Sequence, residues 1–90
     1  MHLKEAEYVL AIERHRTIYR AAEELGITQP SLSRFLQGLE QELGVKLFER
    51  SGKRLVLTYA GKQYIQLARQ MIQLSQGLED TMLDIAQKGG

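Results

Sequence analysis

The chain contains no cysteine, which removes disulfides, thiolate nucleophiles and Cys-ligated zinc from consideration. Its two histidines, His2 and His15, are isolated, with no second imidazole or thiol at ligand spacing; no metal is expected. There is no nucleophile–base pair and no glycine-rich phosphate loop, so no catalytic residue, enzyme activity or cofactor is expected either. The N-terminus lacks the apolar segment of a signal peptide. No apolar run approaches the ~20 residues that span a bilayer, and the expectation is a cytoplasmic protein with no membrane partner. Proline is nearly absent, with Pro30 alone, and neither a Pro- or Ser-rich linker nor an internal repeat is visible. A charge excess is also missing. Twelve Lys and Arg face 11 Asp and Glu, for a net charge of +1, so overall charge does not by itself point to nucleic acid.

Ninety residues with 43% hydrophobic content fit one small globular unit. A chain of this size buries only around 60% of its unfolded surface and gains from association. The local pattern begins with Leu3, Tyr8, Val9 and Ile12 at helical spacing, a first helix over about Leu3 to Arg14. Glu5 and Glu7 lie near its start, where the helix dipole favours acids. Thr17 is placed to cap a second helix, Ile18 to Leu25, and Gly26 to close it. Ala21 and Ala22 are its small interior residues. Thr28 then caps a third helix with Pro30 in its first turn. Helix, glycine turn and capped helix follow at the spacing of a helix-turn-helix.

The third helix carries the most information. At about 100° per residue, Leu32, Phe35, Leu36, Leu39 and Leu43 share one wedge. Gln29, Ser33, Arg34, Gln37 and Gln41 occupy the opposite one. An ordinary solvated face shows Glu and Lys there; this one shows side chains that read base edges and hold phosphates. The helix stops at Gly44. Val45 to Phe48 and Arg54 to Thr58 then read as two strands around Ser51-Gly52-Lys53, a β-hairpin in the position of a wing. Arg50, Lys53 and Arg54 cluster at its tip, and Arg20 lies one helix earlier. Arg20 also has Glu23 and Glu24 at hand as helix partners. Glu23, Glu24, Glu40 and Glu42 read as ordinary solvated acids.

Thr58 caps a last helix, Tyr59 to Gln87. Tyr64, Leu67, Met71, Leu74, Leu78 and Ile85 recur in alternating steps of three and four, a heptad seam interrupted at Thr81, with Met82 beside it. The helix would be about 42 Å long, against a radius of gyration of about 12 Å for a compact domain of this size. Its far half must therefore bury elsewhere, and a second copy of the same helix is the economical partner. The expected architecture is mainly α: a winged helix-turn-helix of three helices plus a two-stranded wing over residues 1–58, a long dimerisation helix over 59–88, and a hinge or chain end at 89–90.

Taken together, Arg20-Ala21-Ala22-Glu23-Glu24-Leu25, Thr28-Gln29-Pro30-Ser31-Leu32-Ser33-Arg34, the run Leu39 to Arg50 and Leu57-Thr58-Tyr59-Ala60-Gly61 resemble the N-terminal DNA-binding domain of the LysR-type transcriptional regulators. The resemblance covers nearly the whole chain. It implies a bacterial repressor or activator that dimerises through its last helix and binds double-stranded DNA at an imperfect palindrome. It implies base reading by Gln29, Pro30, Ser33 and Arg34, phosphate contacts at Thr28 and Ser31, and a wing, Arg50, Lys53 and Arg54, on the backbone or in the minor groove. Gln37 and Arg20 join this set from the residue pattern. Two positions depart from the family: Thr17-Ile18-Tyr19 stands where Ser-Phe-Thr is usual, and Tyr59 replaces a common Glu. The family's effector-binding domain is expected to lie beyond Gly90, outside this chain. The rival reading is a winged-helix protein-docking or dimerisation module without DNA readout, which predicts no salt-dependent binding to DNA.

Overall fold

Three threonines start three of the four helices, each by the same device. Thr17, Thr28 and Thr58 hold extended backbone and accept the N–H three residues on, from Arg20 at 3.2 Å, Ser31 at 3.2 Å and Gly61 at 2.9 Å. Each satisfies a helix-start donor that would otherwise lack a partner. The computed structural model describes residues 3–89, so His2 and Gly90 lie outside it. The elements are α1 (Leu3–His15), α2 (Ile18–Leu25), α3 (Gln29–Leu43), β1 (Phe48–Ser51), β2 (Arg54–Leu57) and α4 (Tyr59–Gln87).

Gly26 and Gly44 close α2 and α3 at φ 69° and 76°, left-handed conformations that carry no Cβ penalty in glycine. Arg16 closes α1 at φ 59°, where a side chain is uncommon. Its N–H bonds the Ile12 carbonyl at 2.7 Å, and its own carbonyl accepts the Leu55 N–H at 2.8 Å. The end of α1 is thereby tied to the wing.

The wing is an antiparallel pair with Phe48 opposite Leu57 and Ser51 opposite Arg54. Gly52 and Lys53 form its two-residue turn, with Gly52 at positive φ and Lys53 not, the type II′ pattern favoured by strand twist. The first strand starts at Phe48 rather than Val45, which corrects the sequence expectation. The cause is Glu40, whose Oε2 accepts the N–H of Leu47 at 2.6 Å and of Phe48 at 3.3 Å. Those donors go to a side chain of α3 rather than to a ladder. Glu40 is thus no ordinary solvated acid: it pins the root of the wing to α3.

Ala6, Val9, Ala11 and Ile12 of α1 are fully buried and face both α2 and α4. Ala21, Ala22 and Ala68 are buried small residues on the helices that close on them, allowing near approach. Leu32, Leu36 and Leu39 complete the centre from α3, with Tyr8 and Phe35 in edge-to-face contact at 5.0 Å. Leu43, expected on that oily wedge, is 40% exposed, because the last turn of α3 runs past the core. Leu3 is exposed in the same way at the start of α1.

Tyr64 is 9% exposed and packs in this core. Its hydroxyl is buried with no hydrogen-bond partner. Burial, and secondarily the negative charge of Glu5, push the phenol's pKa up. An unsatisfied buried hydroxyl costs about 1 kcal/mol or more. Tyr64→Phe is therefore expected to raise stability by about 1 kcal/mol, read as a higher urea midpoint at unchanged slope. A lower midpoint would mean that the hydroxyl gains a partner in the assembled protein.

Beyond Ile72, α4 leaves the core. The Cα extents are 54 × 26 × 20 Å and the radius of gyration is 15.6 Å, well above the ~12 Å of a compact chain this long. Among the described residues no helix is long and apolar enough to cross a membrane.

Candidate nucleic-acid interface

The helix expected to carry the reading residues, α3, is held from both ends. Thr28 caps its start, and Thr28 Oγ1 also donates to Ser31 Oγ at 2.8 Å. That bond uses the Thr28 hydrogen and leaves the Ser31 hydroxyl hydrogen free to donate outward. At the far end Glu40 holds the wing. The buried side of α3, Leu32, Leu36 and Leu39, fixes which way the opposite side points. On that side Gln29, Pro30, Ser31, Arg34 and Gln37 are exposed and Ser33 is half-buried. The helix fixes the backbone from which these side chains extend, while ordering each exposed, rotamer-rich side chain on binding still costs about 0.5–1.5 kcal/mol.

The cations divide by location. Among the described residues, Arg14, Arg69 and Lys88 sit in ion pairs with Glu24, Glu13 and Asp84, and Lys4 lies over the Tyr8 ring. Arg16, Arg20, Arg34, Lys46, Arg50, Lys53 and Arg54 have no carboxylate partner there. These seven lie on the helix-turn-helix and the wing, while Lys4 at the start of α1 and Lys62 in the first turn of α4 also lack an ion pair among the described residues, so most of the unneutralised positive charge of a nearly neutral chain gathers on the helix-turn-helix and the wing. Arg20 had Glu23 and Glu24 at hand as helix partners, and it pairs with neither among the described residues. Glu24 instead reaches back to α1, where Arg14 Nε donates to Oε1 at 3.3 Å, Arg14 Nη2 donates to Oε2, and His15 Nε2 donates to Oε1 at 2.8 Å.

The Arg14 hydrogen bond, then that of His15, lowers the Glu24 pKa. A lowered carboxylate pKa adds stability above the group's ordinary value and loses it as pH falls through the lowered one. The clasp between α1 and α2 is therefore intact at neutral pH and released in acid.

Two clefts lie beside the wing. Arg14, His15, Thr17, Arg20, Lys53 and Arg54 line one of about 390 Å³ between the start of α2 and the wing tip. Arg16, Ser51, Arg54 and Val56 line another of about 280 Å³. Arg14, His15 and Arg16 were not singled out from sequence as interface residues. The signal was available only as the basic run Arg14-His15-Arg16, whose position against the wing depends on how α1 ends. Among the described residues no group of three metal-ligating side chains occurs.

The apolar residues of α4 separate equally clearly. Tyr64 belongs to the core of its own chain, Met71 is half-buried, and Leu67, Leu74, Leu78, Met82 and Ile85 are exposed. Leu74 and Leu78 are 75% and 62% exposed. The open part of the seam therefore begins at Leu67 and runs outward from the core.

Residues 3–62 match the family described as bacterial regulatory helix-turn-helix protein, lysR family. The chain belongs to the LysR family. A RuBisCO operon transcriptional regulator of Allochromatium vinosum is 39% identical over 80 residues, covering 89% of this chain and 26% of that protein. The DNA-binding transcriptional dual regulator OxyR of Escherichia coli K12 is 38% identical over 72 residues, covering 80% of this chain and 24% of that protein. The chain thus spans about a quarter of the length of these LysR-family relatives. Among solved structures, a BenM DNA-binding domain in complex with benA site 1 DNA superposes with a TM-score of 0.89 at 32% identity, covering 96% of this chain and 97% of that one. A CbnR DNA-binding domain–DNA complex gives 0.86 at 32% identity, covering 96% and 99%. The winged helix-turn-helix followed by a long helix is the fold of the LysR DNA-binding domain, and a transcription-regulating DNA-binding domain is what this chain is.

Proposed function

We propose that the chain is the sequence-specific reader of a LysR-type regulator and that it acts as a homodimer on double-stranded DNA in the bacterial cytoplasm. Residues 1–58 form the reading unit and 59–88 the dimerisation helix. In each subunit α3 enters a major groove, with Gln29, Pro30, Ser33, Arg34 and Gln37 at base edges and Thr28 and Ser31 near phosphate. Arg50, Lys53 and Arg54 follow the flanking backbone or minor groove, and Arg20 supports them from α2. Paired α4 helices set the distance between half-sites of an imperfect palindrome, which then lie one helical turn or a multiple apart.

The observation that carries this reading is the exposed Gln, Ser and Arg face of α3, flanked by cations that have no carboxylate partner among the described residues. Partnerless guanidinium and ammonium groups remain free to displace the counterions of phosphate.

Selection of duplexes from a random pool, followed by titration at two salt concentrations, tests it. The expected result is a two-fold-symmetric site whose affinity falls steeply with salt. Absence of binding at low salt would overturn it. On the selected site Arg34→Ala is expected to cost about 1–3 kcal/mol and to relax one base position. Lys53→Ala should weaken all sequences alike and reduce the salt slope by about one. Equal losses for both variants on selected and random DNA would refute that division of roles.

A further inference from the structure

The cleft between the start of α2 and the wing tip holds more positive charge than it presents. Lys53 and Arg54 reach it from the wing and Arg20 from α2, beside the Thr17 cap. Arg14 and His15 reach it from the end of α1, but both are engaged by Glu24. Glu24 binds Arg14 through both carboxylate oxygens and His15 through one of them. Its neighbour Glu23 is exposed and has no ion pair among the described residues. One carboxylate thus neutralises the α1 edge of a cleft whose other walls are free cations. Lys53 and Arg54 come from the wing, while Arg14, His15 and Arg20 come from the helices. The cleft bridges the two parts of the protein that would straddle a DNA strand.

We propose that this cleft seats a DNA backbone phosphate and that Glu24 sets how tightly it does so, by holding Arg14 and His15 out of the contact. The proposal rests on the DNA-binding reading above and adds to it a restraint built into the helix-turn-helix. Phosphate contacts add affinity without sequence information. A carboxylate that withholds one cation therefore lowers affinity for every sequence and shortens residence on arbitrary DNA. The ion pair is half-exposed, with side chains 53% and 39% accessible. Exchanging such a pair for a phosphate contact costs little in fold stability, so the restraint acts on binding.

The test compares Glu24→Gln, Glu23→Gln and the double variant Glu24→Gln/Arg14→Ala with the unaltered chain. Each is titrated into a labelled random-sequence duplex and into the selected site over a range of salt, with melting temperatures in parallel. Glu24→Gln is expected to tighten binding to both duplexes about three- to tenfold and to steepen the salt slope by about 0.9, one more released counterion. Arg14→Ala in that background should abolish both gains. Glu23→Gln changes net charge by the same amount but frees no cation, so its slope should stay at the starting value. Equal gains from Glu23→Gln and Glu24→Gln would overturn the proposal, since net charge alone would then act. Binding by the unaltered chain with no gain from Glu24→Gln at unchanged melting temperature would overturn it while leaving the DNA-binding reading intact. No binding by the unaltered chain at low salt would overturn both.

Discussion

Gly61→Ala is expected to destabilise the protein by about 3 kcal/mol or more, since Gly61 is, among the described glycines, the one where an added Cβ meets other atoms within 4 Å. A Cβ at Gly61 would stand 2.0 Å from the Leu47 carbonyl oxygen, 2.9 Å from Leu57 Cδ2 and 3.0 Å from the Leu47 carbonyl carbon. The first contact is with backbone that has nowhere to retreat. Leu47 is 1% exposed, its N–H is held by Glu40, and its carbonyl accepts the Thr58 N–H at 3.0 Å. The adjacent Lys46 carbonyl accepts the Thr58 hydroxyl at 2.6 Å. Relieving the overlap requires α4 to lift from the 46–47 segment, which breaks both Thr58 bonds to it and parts Leu57 from its neighbours. Overpacking costs about 1–3 kcal/mol and each lost hydrogen bond about 1. The better helix propensity of Ala returns only about 1.

For a chain this small the net loss corresponds to a fall in melting temperature of more than 10 °C, at roughly 4–8 °C per kcal/mol. Gly38→Ala is the contrast. Its Cβ would meet nothing within 4 Å, so propensity alone acts and stability should rise by about 0.8–1 kcal/mol. A Gly61→Ala protein that melts with the parent would show that α4 can shift without cost and that the wing is not braced by it.

The same neighbourhood separates what local pattern reveals from what it hides. The caps Thr17, Thr28 and Thr58 and the bounds of α2, α3 and α4 were legible. A cap, a turn glycine and a 3.6-residue period are all written within a few neighbouring positions. The root of the wing was not. Whether Val45–Leu47 extends the strand depends on Glu40, seven residues before Leu47, spending its carboxylate on backbone donors, and nothing in the spacing marks that acid from Glu42. Glu24 is a similar case. On its own helix it is an available partner for Arg20, and only the packing of α2 on α1 delivers it to Arg14 and His15. Tyr64 fits the heptad rhythm as well as Leu67 does. It turns into the core because α4 meets α1 there, a fact about three-dimensional placement rather than period. The exposed polar face of α3 was legible because it needs only one helix and its rotation. The cationic cleft was not, because it needs α1, α2 and the wing tip at once.

Leu78→Asp is expected to leave the fold intact and abolish the proposed dimer. Leu78 is 62% exposed and lies beyond Ile72, where α4 has parted from the core, so an aspartate there touches nothing the monomer needs and far-ultraviolet dichroism should not change. In a homodimer the same change acts twice. Each copy loses about 2 kcal/mol of leucine burial, and each places a carboxylate in an apolar seam at a further cost of several kcal/mol. Sedimentation should then show a single chain at concentrations where the parent is paired. The effect on DNA follows from geometry rather than from any lost contact. In the proposed dimer two linked copies of α3 would bind their half-sites at high effective concentration, and unlinking them is expected to lower affinity for the selected palindrome by about 10²–10⁴-fold. Binding to a single half-site should be nearly unchanged, since Leu78 is remote from Gln29, Ser33 and Arg34 in sequence and beyond the core in structure. Leu78→Met, which keeps an apolar side chain of similar volume, should retain both the dimer and the affinity. A Leu78→Asp protein that still sediments as a dimer would move the interface away from the outer half of α4. One that sediments as a monomer yet keeps full affinity for the palindrome would mean that the two half-sites are joined by contacts formed on the DNA itself.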